Sequence, residues 1–274
     1  MKFTILGSKG FIGSNFSKYF SHSGINYRAP ERDDNSIFEE DLGHLIYCIG
    51  LTSDFRKRPF DTVKAHVCYL LYVLENARFD SFLYLSSTRI YDTGKRIARE
   101  GDPIKIQPLD FNDLYNISKT MGESICFAME KDNVRVVRLS NVYGADFKSE
   151  NFISSLIRDA LRNKRIVLYT SLDSKKDYIN IKDVVNILPK IAMHGSHKIY
   201  NVASGKNVTN GQIVNIISRL TGCIVEADKN AKRICYPNSC ISRIKEKFAF
   251  TPARITNDLN ELVSKYNDFM KEKK

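Results

Sequence analysis

The chain has 274 residues, 43% hydrophobic and 27% charged, which suits one large or two modest globular domains with a sizeable core. It has no apolar run of the roughly 18 residues that a membrane span needs, and its first ten residues lack a secretion leader's apolar region, so a reducing cytoplasm is the expected compartment. Lysine and arginine total 42 against 31 acids, a net charge of +11 that favours anionic ligands such as diphosphates; scattered basic residues with no recognition module argue against nucleic acid.

In chain order, the first predicted strand covers residues 2–6 and runs into Gly7-Ser8-Lys9-Gly10-Phe11-Ile12-Gly13, followed by a predicted helix over 11–22. A strand, a glycine-rich turn and a helix N-terminus together offer backbone N–H groups to a pyrophosphate, with no side chain in its way. That context makes Gly7, Gly10, Phe11, Ile12 and Gly13 the expected dinucleotide cradle. A second strand is predicted at 25–28 and ends in Arg28. An arginine there accommodates the 2′-phosphate of NADP, whereas an acid bonds the 2′-hydroxyl of NAD. Arg28 leads to an expectation of NADP(H), with NAD(H) left open by Asp33 and Asp34 just beyond.

Further strands are predicted at 45–49, 82–86, 134–139, 166–169 and 199–202, between helices at 59–77, 112–130, 151–162 and 182–193. Short apolar strands alternating with helices imply right-handed crossovers and a doubly wound parallel α/β sheet. After Val202 the pattern turns helical, at 209–220, 241–248 and 256–270. The expected organisation is therefore a nucleotide-binding domain over 1–145 that also receives 164–203. A smaller, mostly helical substrate lobe takes 146–163 and 204–274. Cys48, Cys68, Cys126, Cys223, Cys235 and Cys240 form no C-x-x-C pair and have no histidine at a ligand spacing, so no metal centre is expected.

Two motifs carry chemistry. Tyr115-Asn116-Ile117-Ser118-Lys119 places a phenol and an ammonium one helical turn apart on one face. A neighbouring cation favours phenolate, which lets a tyrosine exchange a proton with an alcohol or ketone while a cofactor exchanges the hydride. Upstream, the strand at 82–86 ends in Ser86-Ser87-Thr88-Arg89-Ile90-Tyr91. Hydroxyls at the carboxyl end of a parallel strand lie where such sheets bind ligands.

With these landmarks the sequence resembles the extended short-chain dehydrogenase/reductases, the NAD(P)-dependent nucleotide-sugar epimerases, dehydratases and reductases. The resemblance runs through GSKGFIG, LIYCIGLT, LSSTRIY, YNISK, RLSNVYG, KKDYINIKDVV and YNVASGKNVT, nearly the whole chain. It implies a Rossmann-like fold with Ser87, Tyr115 and Lys119 as the catalytic set, Tyr115 being the acid/base and Lys119 also facing the nicotinamide ribose. It implies a cofactor contact at Thr52 and nucleotide-diphosphate sugar contacts at Thr88, Asn141, Lys176 and Arg233. A homodimer is compatible with it.

The chain also departs from the family pattern. His66 stands where an asparagine is usual, and the short stretch between Pro30 and His44 implies that one strand–helix unit is trimmed. Thr88 and Arg89 replace the acidic pair of sugar-nucleotide 4,6-dehydratases, which disfavours elimination. The leading expectation is reduction of a 4-keto-6-deoxy sugar nucleotide with NADPH, for surface polysaccharide biosynthesis. A 4-epimerase with tightly bound NAD is the alternative. A non-catalytic cofactor-sensing or RNA-binding member is a further one, against which the intact Ser87/Tyr115/Lys119 set argues.

Overall fold

Strand β1 (Phe3–Leu6) is buried at all four residues, as expected of a strand covered on both faces. It passes through the glycine loop into α1 (Phe11–His22), then β2 (Tyr27–Arg28) and β3 (His44–Tyr47). Helices α2 (Pro59–Val63) and α3 (Tyr69–Asn76) run on from each other through a widened π turn at Lys64–Cys68. β4 (Ser81–Ser87), β5 (Ile97–Ala98), α4 (Leu114–Ala128), β6 (Val134–Leu139) and β7 (Asn141–Tyr143) follow. Next come α5 (Phe152–Arg162), β8 (Arg165–Leu168), β9 (Lys175–Asn180), α6 (Ile181–His194) and β10 (Ile199–Val202). The chain ends with β11 (Asn207–Thr209), α7 (Asn210–Thr221), β12 (Ile224–Ala227), β13 (Asn238–Ser239), α8 (Ser242–Phe248) and α9 (Ile255–Lys271). This computed structural model describes residues 1–52, 54–91, 96–147, 149–228 and 230–272.

The large sheet has the order β10-β6-β4-β3-β1-β2, and every pair in it is parallel. Alternate residues of its strands feed two cores. Phe3, Ile5, Ile46, Leu83 and Val137 pack with Phe16 and Phe20 of α1 and with Val184, Leu188 and Ile191 of α6. Leu6, Leu45, Tyr47, Phe82, Tyr84 and Val136 pack on the other face with Leu70, Val73 and Cys126 of the α3–α4 side. Helices thus cover both faces, as a doubly wound sheet requires.

The trimmed unit is visible. β2 is the outer strand, and between it and β3 the chain makes a single 3₁₀ turn at Asn35–Phe38 in place of a helix. The strand expected at 166–169 also takes an unexpected partner. It forms as β8, but pairs in parallel with β12 outside the large sheet. Its burial alternates, Ile166 and Leu168 inward and Arg165 and Val167 outward, which fits a half-exposed two-stranded sheet. Segment 164–203 therefore divides. β8 joins a second hydrophobic core with Ile157, Ile213, Ile217, Leu259 and Tyr266, whereas α6 and β10 return to the large sheet. Between the two, β9 pairs in parallel with β7 and antiparallel with β11. Among the described residues, no helix is long and apolar enough to cross a membrane.

Candidate active site

The glycine loop is shaped by close approach. Gly7 has φ +86, and a Cβ there would meet the Ile49 nitrogen at 2.9 Å. A Cβ on Gly13 would lie 2.8 Å from Ser8 Cα and would also run into the Gly7 carbonyl. Gly10 is the N-cap of α1 and provides no side-chain bond to the first turn. The first-turn amides, at Phe11, Ile12 and Gly13, therefore point their partial positive charge at whatever anion the loop holds. A pyrophosphate fits this cradle, whose close approaches at Gly7 and Gly13 leave no room for a Cβ.

Arg28 is not a free guanidinium. It pairs with Asp34 at 2.6 Å and with Glu40 at 2.9 Å, and its third partner is the Ser36 hydroxyl. Asp34 caps the 3₁₀ turn by accepting the Ser36 N–H, while the Ser36 hydroxyl, then Arg28, holds its carboxyl below the usual range. Asp34 has folded back onto the strand end, so two carboxylates now stand beside the arginine expected to read a 2′-phosphate.

The hydroxyl at the end of β4, the loop after β3 and helix α4 meet at Tyr115. This side chain is 3% exposed, and the hydroxyls of Ser87 and Thr52 lie near enough to its phenol to act on its pKa. Burial raises its pKa above the ordinary value, while the Ser87 hydroxyl, the Arg89 charge and the Thr52 hydroxyl oppose that rise. Its ring packs against Phe55 at 5.4 Å and edge-on against His66 at 5.5 Å. Ser87 also accepts the Arg89 N–H at 3.2 Å, which fixes the turn that follows β4.

Lys119 is likewise buried. Its Nζ donates to the Leu85 carbonyl at 2.8 Å and lies 5.0 Å from the Tyr84 ring. Burial pulls its pKa down to about 7, against the attraction of Glu123. His66 explains its own presence. Nε2 accepts the Leu51 N–H at 3.2 Å, so Nδ1 carries the proton and donates to Ser118 Oγ at 2.9 Å. Burial keeps this ring neutral, with a pKa near 2. The imidazole thus ties the Thr52 loop to the helix that carries Tyr115 and Lys119.

The expected substrate contacts are less closely gathered. Thr88 opens the turn after Ser87, and Asn141, at the start of β7, donates to the Asp177 carbonyl at 2.8 Å. Lys176 lies over the Phe152 ring at 5.4 Å, its pKa lowered by burial and then by Arg89. Arg233 is exposed, and no contact among the described residues ties it to the others. Its neighbour Tyr236 comes near enough to act electrostatically on Tyr115.

Motif reading missed three features of the site. Phe55 is buried beneath the Arg89 and Arg56 guanidinium groups. Glu123 and Arg138 form a buried ion pair at 2.6 Å behind Lys119. The guanidinium of Arg89 stands 5.2 Å from the centre of the Tyr115 ring. Only Glu123 had a local signal, since it lies one turn beyond Lys119 on the same helix face.

Comparison with known proteins places this arrangement. The model of the NAD dependent epimerase/dehydratase family matches residues 3–203. A dTDP-D-glucose 4,6-dehydratase of Dictyostelium discoideum is 24% identical over 163 residues, 54% of this chain but only 38% of that relative's length. Among solved structures, RMD from Pseudomonas aeruginosa complexed with NADPH superposes with TM-score 0.80 at 19% identity, covering 97% of this chain and 99% of that one. A UDP-glucose 4-epimerase from Thermotoga maritima, solved with UDP-glucose, gives TM-score 0.80 at 18% identity, covering 98% and 100%.

Proposed function

Because this chain belongs to the NAD dependent epimerase/dehydratase family, we propose that it inverts carbon 4 of a nucleotide-diphosphate sugar through a transient 4-keto sugar, with NAD retained between turnovers. The observation that carries this reading is the buried Tyr115 phenol, within reach of the Ser87 hydroxyl's influence and one helical turn before a buried Lys119, at the carboxyl ends of β4 and its neighbours. In this reading the glycine loop and the α1 N-terminus hold the pyrophosphate of the nicotinamide cofactor. When bound, that cofactor accepts the substrate hydride and returns it. Tyr115 takes the proton from the sugar hydroxyl and gives it back to the keto oxygen. Ser87 donates a hydrogen bond to that same oxygen, and the Lys119 ammonium favours the phenolate. Thr52 holds the phenol in line, while Thr88, Asn141 and Lys176 bind the nucleotide sugar. Arg233 is the more distant candidate for its diphosphate.

Epimerisation is favoured over net reduction by Arg28, whose charge Asp34 and Glu40 already answer. Keto-reduction of a 4-keto-6-deoxy sugar nucleotide with NADPH is the second reading. Arg28 supports it if a 2′-phosphate displaces Asp34. The chemistry is tested by denaturing the purified protein and assaying the released nucleotide, then following uridine and thymidine diphosphate hexoses by proton NMR. The expected result is released NAD and inversion at carbon 4 without net cofactor consumption, with Tyr115→Phe slower by about 10²–10⁴-fold. Stoichiometric loss of NADPH would replace this reading with the reductase. Undiminished turnover by Tyr115→Phe would remove the assigned acid/base.

A further inference from the structure

Most arginines in this chain that reach an acid are neutralised by it: Arg28 by Asp34 and Glu40, Arg58 by Asp61, Arg138 by Glu123, Arg165 by Glu226, and Arg243 by Glu100. Arg89 differs. It is partly buried, and among the described residues no carboxylate pairs with it. Its guanidinium lies over two rings, 4.9 Å from Phe55 and 5.2 Å from Tyr115. Another cation, Lys176, lies near enough that Arg89 helps to lower its pKa, after burial. Ring faces compensate a desolvated cation only in part. Two neighbouring cations partly withdrawn from water, with no acid among the described residues paired to Arg89, are costly until an anion arrives.

A nucleotide sugar brings one anion, its diphosphate, and Lys176 is the candidate for that. Arg89 stands beside the residues assigned to the reacting oxygen. Its backbone is bonded to the Ser87 hydroxyl, and its guanidinium rests on the ring of the residue assigned to the reacting oxygen. Its counter-ion must therefore belong to the sugar, close to the carbon that reacts. In a hexopyranose the group that projects beside oxygen 4 is carbon 6, and the anionic form of carbon 6 is a carboxylate. A planar fork of N–H donors matches a carboxylate in a way an ammonium does not. We propose that Arg89 reads a carboxylate on the sugar ring, so that the substrates are nucleoside-diphosphate hexuronates rather than neutral hexoses. The proposal rests on the nucleotide-sugar reading of the site.

Calorimetry with NAD present tests it, using uridine and thymidine diphosphates alone and as their glucose and glucuronate esters. The wild type is expected to bind a glucuronate ester about 10–100-fold more tightly than the glucose ester. Arg89→Met, which keeps an apolar stem on the two rings, should abolish that difference. It should leave the glucose esters and bare diphosphates unchanged. Arg89→Lys, which keeps charge but loses the fork, should fall between. Equal affinity of the wild type for acid and neutral esters overturns the proposal. So does an Arg89→Met variant that weakens the bare diphosphates by the same factor, since the guanidinium would then serve the phosphates. Failure of every nucleotide to bind even the wild type would instead remove the nucleotide-sugar reading, and this inference with it.

Discussion

Lys119 carries its ammonium where water does not reach, with one carbonyl as its hydrogen-bond acceptor. Its pKa falls from 10.5 to about 7 because burial outweighs the attraction of Glu123. Between those two values the unfolded chain holds a proton that the folded chain has released, so stability rises with pH across that window. Below about pH 7 both states are protonated and the full cost is present; above pH 10.5 it is gone. Lys119→Met should therefore be more stable than the wild type at pH 6, by roughly 3–5 kcal/mol, with the gap closing toward pH 10.5. Urea unfolding at pH 6, 8 and 10 measures it, and a gap independent of pH would show that Lys119 does not titrate in this way. Tyr115 and Lys119 were legible in the sequence because an i, i+4 spacing is local. Arg89 and Phe55 were not legible as partners of Tyr115. Their meeting depends on where a loop after β3 and a turn after β4 are carried by the sheet, and no spacing encodes that.

Helix α4 buries an unusual set of polar residues, among them Asn116, Ser118, Lys119 and Glu123. The helix itself was expected from its pattern, but the destinations of these groups were not. Glu123 accepts from Ser86 at 2.5 Å and from Arg138 at 2.9 and 2.6 Å, and Arg138 also donates to Tyr91 at 2.6 Å. Tyr91 in turn donates to Asn201 of β10 at 2.8 Å. The partners come from four separate elements, so sequence separation hid them. This chain of bonds clamps both ends of the turn bearing Ser87, Thr88 and Arg89. Removing one partner strands a buried charge, so Glu123→Ala should cost about 3–5 kcal/mol in unfolding free energy. The double variant Glu123→Leu with Arg138→Met should recover most of that loss. Denaturant midpoints decide, and a double variant no better than the single one would show that packing, rather than the stranded charge, sets the cost.

At the scale of the whole molecule, the six-stranded sheet was legible because all of its strands but the two-residue β2 read as short, largely apolar runs. The pairing of β8 with β12 was not, since four residues with two buried and two exposed resemble any other short strand. The same sheet carries Arg28, which the proposed reading puts at the adenosine end of the cofactor, between Asp34 and Glu40. A ligand that binds only the folded state at a hundredfold its Kd adds about 2.7 kcal/mol. For a chain of this size that is roughly 5–10 °C in Tm. Protein stripped of nucleotide should show such a shift with NAD, and a smaller one with NADP at equal concentration. A larger shift with NADP would mean that the 2′-phosphate displaces Asp34 and would return the balance to the reductase.

The missing strand–helix unit has one more consequence, for the behaviour of the protein at high concentration. It leaves β2 as the outer strand of the large sheet, where unpaired backbone groups invite a second chain to add itself. That invitation is short. β2 has two residues, and directly after it come Ala29, a buried Pro30 with no N–H to give, and then Glu31, Arg32, Asp33 and Asp34. Trimming the fold exposed an edge, and the residues that replaced the lost unit make that edge a poor template for self-association.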